Sequence, residues 1–215
     1  MEEGPLKVEI LKMAQANGVP TDNVWIVDAS KQSDRISANV SGLFGTTRIS
    51  LNDNLLNRGT PEEIKAVMGH EIGHYVLGHG PEMLIEFSLV LLLAMLFIHG
   101  GFIWVQQRWG ENWGVRDLAD PAGLPVIFAL LGVYFFLATP ATNSIIRSNE
   151  TEADSFAVNA SQEPDGLATS LLKLTTYRKA EPGPWEEIIF FDHPSTRNRI
   201  MSAMRYKAVY QSEKQ

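Results

Sequence analysis

Two histidines four residues apart, with a glutamate directly after the first, can hold a metal ion and act on a water beside it. The stretch "GHEIGHYVLGH", Gly69 to His79, contains His70, Glu71 and His74 in that arrangement, and three of the chain's five histidines. On a helix, residues i and i+4 stand one above the other on one face, so both imidazoles can bind a single Zn²⁺. Zinc lowers the pKa of a bound water to about 7, and Glu71 is placed to take the proton as general base in attack on a carbonyl. The helix announces its start: Thr60 suits the N-cap, Pro61 the first position, and Glu63 completes a capping box. Gly69 and Gly73 would allow another element to approach closely.

The third ligand must come from elsewhere. No cysteine is present, which excludes thiolate ligands and disulfides. A third histidine in the extended HExxHxxGxxH pattern would lie six residues after His74. Here His79 lies five after, and it reads as a structural or supporting residue. A later acidic stretch, "SNETEADSFA", offers Glu150, Glu152 and Asp154. Glu150 and Asp154 share a helical face and Glu152 points elsewhere. Glu150 could bind the metal with Asp154 behind it, bonding a ligand imidazole. The same acids are also what any helix start favours through its dipole.

The elements that must position these residues include two long uncharged runs. Residues 87–107 and 121–146 carry no formal charge, and a bilayer core requires about 20 mostly apolar residues. Trp104, Trp109 and Trp113 gather at one end of the first run, as an interfacial belt would. The linker "RWGENWGVRDLAD" is short, so the runs should form an antiparallel hairpin. The alternative, two helices buried in a soluble metalloprotein, needs more covering chain than about 150 residues supply. Of 18 Lys and Arg, only Arg108 and Arg116 lie in the linker, which favours both termini in the cytoplasm. The N-terminus is acidic and lacks the apolar core of a signal peptide.

The fold expected is mainly α with a small β-sheet, a metalloprotease domain interrupted by the hairpin. Residues 1–82 form its first part, 83–146 the transmembrane hairpin and 147–215 its second part. "PLKVEILKMAQANG" reads as a helix with a Gly stop, "NVWIVDAS" as a strand, and "RISANVSGLFG" and "TTRISLND" as a β-hairpin. "LNDNLLNRG" is a short connector or helical turn. In the second part "NETEADSFAVNA", "DGLATSLLKLTTYRKA" and "TRNRIMSAMRYKAVYQ" read as helices, and "EPGPWEEIIFFDHPS" as a loop. Net charge is −7, which argues against a nucleic-acid partner. The sequons at Asn39, Asn149 and Asn159 are weak signals.

"TPEEIKAVMGHEIGHYVLGH", two apolar spans, "NETEADSFA" and "FDHPSTRNRI", in that order, resemble the integral-membrane zinc peptidases of the CaaX prenyl protease 1 and HtpX type. The segments around "EGPLKVEILKMAQANG" and "SGLFGTTRISLNDNLL" are similar as well. The resemblance implies that Glu150 is the third zinc ligand and Asp154 its companion. It implies that His193, in "DHPS", lies over the metal and stabilises the oxyanion, and that Arg199 binds an acidic partner or the substrate backbone. Two departures stand out. "SANVSGLF" has Ser37 where the prenyl proteases carry Asn, leaving Asn39 to hold substrate backbone from an edge strand. The chain also starts after the further membrane helices that close the prenyl proteases' chamber.

The expected function is a membrane-anchored endopeptidase with one zinc per chain. It would act on extended polypeptides in membrane-protein quality control, from a bacterial inner membrane or equivalent endomembrane, with its catalytic domain cytoplasmic. Prenyl-protein processing and a catalytically silent zinc-binding scaffold are the alternatives.

Overall fold

A computed structural model describes residues 1–42, 45–175 and 179–211. Within the expected β-hairpin turn, residues 43–44 lie outside the described residues, as do 176–178 of the expected helix after "DGLATSLL". Helix α1 (Pro5–Ala16) leads to strand β1 (Val24–Val27), then β2 (Ala38–Ser41), β3 (Arg48–Asn52) and short helix α2 (Asp53–Arg58). The sheet order is β1-β3-β2, with β3 parallel to β1 and antiparallel to β2. Helix α3 (Pro61–Val76) carries the metal motif. Helices α4 (His79–Trp113) and α5 (Leu124–Ser161) are the long apolar pair. Helices α6 (Pro164–Leu174), α7 (Pro184–Phe190) and α8 (Thr196–Tyr206) complete the chain before a final turn.

Helix α3 is central because its three faces differ. Ile64, Met68 and Ile72, spaced four apart, pack with Ile10, Val24, Ile49 and Leu51 of α1 and the sheet. Ala66 packs with Ala157, Leu167, Leu171 and Ala203 on α5, α6 and α8. Each fully buried large aliphatic among these contributes about 1.5–3 kcal/mol. Between the two cores runs the stripe that presents Val67, His70, Glu71 and His74 to an open cavity.

Gly69 and Gly73 do what their lack of a side chain permits. A Cβ on Gly69 would stand 3.2 Å from the Ala157 backbone, and one on Gly73 would stand 3.1 Å from the Phe156 side chain. Helix α5 therefore lies directly on the ligand helix. Gly166 does the same for α6, where a Cβ would meet the Glu62 carbonyl oxygen at 2.5 Å.

Helices α4 and α5 form the antiparallel hairpin and are not core helices of a soluble fold. Only 17% and 6% of their most apolar windows are buried. Leu84, Leu92, Met95, Phe128, Phe136 and Leu137 all face outward. The pair is held by burial of Ala94 and Phe102 and by the Tyr134 hydroxyl, which donates to the Val90 carbonyl at 2.6 Å. Trp104, Trp109 and Trp113 form a contiguous ring ladder at the far end.

Two boundaries differ from the sequence reading. Residues 147–161 are not a separate helix but the continuation of α5, because nothing between Ile146 and Arg147 breaks the helix. The "EPGPWEEIIFFDHPS" segment is not all loop. Pro184 opens α7, and the Glu186 carboxylate accepts from the Gly183 N–H at its start.

The capping box at Thr60 is formed in both directions, and Glu63 also receives the Lys173 ammonium from α6. One carboxylate thus ties the segment before the hairpin to the segment after it. Burial disfavours the Glu63 charge, but Lys173 and the Thr60 N–H outweigh burial and hold its pKa below the ordinary value. Glu63→Gln should lower the melting temperature of detergent-solubilised protein at neutral pH, a loss of about 1–2 kcal/mol. A depressed carboxylate stabilises above the unfolded pKa, about 4.3, so the difference should shrink as pH falls below that value. A difference undiminished in acid would contradict this role.

Candidate metal centre

Three side-chain donors converge on one point. His70 Nε2 and His74 Nε2 are 3.0 Å apart, as helical i, i+4 spacing dictates. Glu150 of α5 brings Oε2 to 3.5 Å from His70 Nε2 and Oε1 to 3.4 Å from His74 Nε2. Around a tetrahedral zinc with bonds of about 2.05 Å, ligand atoms stand roughly 3.3 Å apart. The spacing and the two-imidazole, one-carboxylate chemistry therefore fit one Zn²⁺. Among the described residues, these three form the cluster with metal-binding geometry.

The far nitrogen of each imidazole is also engaged. His70 Nδ1 is 2.9 Å from Asp154 Oδ1, one helical turn beyond Glu150. Arg199 of α8 grips Asp154 with two bonds, from Nε at 2.6 Å and from the guanidinium NH2 at 2.7 Å, and lies 3.3 Å from Glu150 Oε2. His74 Nδ1 meets His79 Nδ1 at 2.8 Å, and His79 Nε2 faces Glu152 at 3.4 Å. With Nε2 of each ligand lone-paired toward the metal, Nδ1 must carry the proton. His70 then donates to Asp154. His74 donates to His79, which turns its own N–H to Glu152.

Glu150 sits between these imidazoles and the Arg199 guanidinium. Burial works against its charge, yet His74, His70 and Arg199 outweigh burial and hold its pKa down to about 2. Glu71 differs: burial pushes its pKa above the ordinary carboxylate value despite the nearby imidazoles. An ionised ligand beside a more basic carboxylate is the division of labour that binding and proton abstraction require.

The cavity is about 380 Å³ and is lined by Glu71, His193, Ile36, Ala38, Val67 and Leu171 among others. His193 Nε2 points at the cluster, 3.5 Å from Glu150 Oε2, and its Nδ1 meets Asp192 at 3.0 Å. Of the residues singled out from sequence, His70, Glu71, His74, Glu150, Asp154, His193 and Arg199 are brought together. Arg199 pairs with Asp154 and Glu150 and also borders the cavity. Asn39 is exposed and does not line the cavity; Ile36, Ser37 and Ala38 of the same segment do. Sequence reasoning missed the pairing of His79 with Glu152. It also missed the α6 wall of Leu167, Leu171 and Leu174. Val67, one turn before Glu71, was legible from helical spacing.

The Peptidase family M48 model matches residues 1–207. The chain belongs to peptidase family M48. Its relatives include the uncharacterized metalloprotease YhfN of Bacillus subtilis, 29% identical over 92% of this chain and 47% of that one. A CAAX prenyl protease 1 homolog of Arabidopsis thaliana is 31% identical over 93% of this chain and 47% of that one. The crystal structure of S. mikatae Ste24p superposes with a TM-score of 0.72 at 24% identity, over 94% of this chain and 50% of that one. The chain spans about half the length of the curated relatives it matches. Within this M48 chain, the HExxH helix, the apolar hairpin and the acidic stretch on α5 occupy the order that the motifs implied.

His79→Leu should speed zinc loss to a competing chelator by roughly 10–100-fold. His79→Asn, whose amide oxygen can accept from His74 Nδ1, should lose zinc more slowly than the Leu variant. Equal rates in wild type and His79→Leu would show that His79 does not hold His74.

Proposed function

We propose that this M48 chain acts as a membrane-anchored zinc endopeptidase that cleaves extended polypeptides beside the bilayer. The observation that carries this reading is the convergence of His70, His74 and Glu150 at zinc spacing with Glu71 and His193 on the same cavity. The bound zinc would supply Lewis acidity and an acidified water.

The chain's own residues divide the remaining work. Glu71, made more basic by burial, takes the proton from the attacking water and can pass it to the leaving amine. His193 Nε2 donates a hydrogen bond to the developing oxyanion. Asp154 and Arg199 lock the His70 ring and brace Glu150, so the donors need not reorganise during reaction.

Substrate would pair with β2. This strand is an edge of the sheet. The Asn52 N–H donates to the Ser37 carbonyl, so antiparallel alternation turns the Ala38 and Val40 backbones toward the open edge. The Ala38 backbone, bordering the cavity, is the anchor this reading assigns to an added peptide strand, with Asn39 contributing less. Ile36, Val67, Leu167, Leu171 and Leu174 offer an apolar wall to a side chain flanking the scissile bond.

The names of several relatives favour prenyl-protein processing over general quality-control degradation as the physiological role. The lysine and arginine distribution supports a cytoplasmic catalytic side. In detergent-solubilised protein, Glu71→Gln should keep its zinc while peptide cleavage falls by about 10²–10⁴-fold, the range for loss of a general base. Cleavage at the wild-type rate would remove Glu71 from the mechanism. Faster turnover of a farnesylated peptide than of its unmodified form and of a casein-like substrate would favour processing; the reverse order would favour degradation.

A further inference from the structure

Helix α7 leads into the loop that carries His193, and its exposed face is apolar. Trp185 is 76% exposed, Phe190 62% and Ile188 44%. Its two carboxylates are engaged by neighbouring groups. Glu186 accepts from Lys179 and from the Gly183 N–H, and Glu187 accepts from the Ser195 N–H. What remains outward on one face is Trp185 with Ile188, three residues on, while exposed Phe190 closes the helix on another side.

The height of α7 is fixed by hydrogen bonds to α5. Asn143 Nδ2 donates to the Ile189 carbonyl at 2.8 Å, and the Arg147 guanidinium donates to the carbonyls of Glu187, Ile188 and Phe191. Asn143 lies inside the uncharged run and Arg147 is the first charge after it. The helix therefore sits within about one turn, roughly 5 Å, of the end of the apolar span. The other helix agrees in level. His79 stands beside Glu152, so Leu84, five residues into α4, stands opposite Arg147, five residues back along α5. Leu84 and Ile85, both 71% exposed, stand just before the uncharged run that starts at residue 87. The α7 face lies at the level where the apolar belt ends.

We propose that α7 is a third membrane contact, lying in the headgroup–acyl boundary of the bilayer. Trp185 and Ile188 enter the interface, where an indole finds both an apolar and a wet environment. Arg147 serves twice: it caps the α7 carbonyls and stands at headgroup level. The consequence is mechanical. The bilayer surface steadies α7, and α7 steadies the Asp192–Ser195 loop that presents His193. The inference rests on the membrane hairpin of the preceding reading, and not on the cleavage reaction.

The absence of cysteine makes the test direct, because a single introduced cysteine is a unique labelling site. Trp185→Cys, Ile188→Cys, Phe136→Cys and Lys31→Cys, each in the full chain, would carry an environment-sensitive fluorophore in liposomes containing doxyl-labelled lipids. Phe136 lies about 15 Å inside the span and should be quenched by lipid labelled near the bilayer centre. Labels at 185 and 188 should be quenched severalfold more by shallow doxyl lipid than the label at the exposed Lys31, and less by deep doxyl lipid than the label at 136. If 136 is quenched while 185 and 188 match 31, α7 faces water or another protein segment; the proposal is overturned and the hairpin stands. If 136 is unquenched as well, the hairpin and the proposal fall together.

Discussion

A zinc ion held by two imidazoles and one carboxylate requires three donor atoms within about 3.5 Å of one another. In this chain two donors sit on α3 and the third on α5, with a whole membrane hairpin between them in sequence. Everything around the site serves that approach. Gly69 and Gly73 remove the side chains that would hold α5 away, and Ala153 and Ala157 present small surfaces in return. The Lys173–Glu63 contact fastens α6 to the start of the same ligand helix. The hairpin is thus more than a tether: it is the rigid return that brings Glu150 back beneath His70 and His74.

Around the donors is a ring of supporting charge. Asp154 faces His70 directly, while Glu152 reaches His74 through His79. Arg199 neutralises the deeper of these carboxylates and touches Glu150 itself. Burying this much charge is costly unless every member is paired. The pairing also preorganises the imidazoles, so the arrangement exchanges stability for a fixed ligand geometry. One supporting chain runs from His74 through His79 at the start of α4 to Glu152 on α5, and the other from His70 through Asp154 on α5 to Arg199 on α8.

Much of this was legible in the residues. His70, Glu71 and His74 declare themselves because helical periodicity converts their spacing into a shared face, and Thr60 and Glu63 mark where that helix begins. The two uncharged runs declare the hairpin by length. The choice of Glu150 over its acidic neighbours needed the family resemblance, since helical phase alone permits more than one arrangement. Other features were illegible for physical reasons. Seven residues of α7 carry too little periodicity to signal a helix, and side chains more than thirty residues away satisfy its carbonyls. The continuity of α5 through Arg147 was hidden because a change in polarity marks a membrane boundary, not a helix end. His79 resisted assignment because its partner Glu152 is local only in space. Asn39 stands out in sequence by its side-chain type, whereas the alternation of backbone direction along β2, which turns the Ala38 backbone to the open edge, is set by pairing with β3.

The central claim is that one zinc joins the segments on either side of the hairpin through His70, His74 and Glu150. Its most direct test is elemental analysis of metal in the purified, detergent-solubilised chain and in its Glu150→Ala variant, each checked for folding by circular dichroism. The account predicts one zinc per wild-type chain and a large loss of zinc from a variant that keeps its helical content. Retention of one zinc per chain by Glu150→Ala would contradict it.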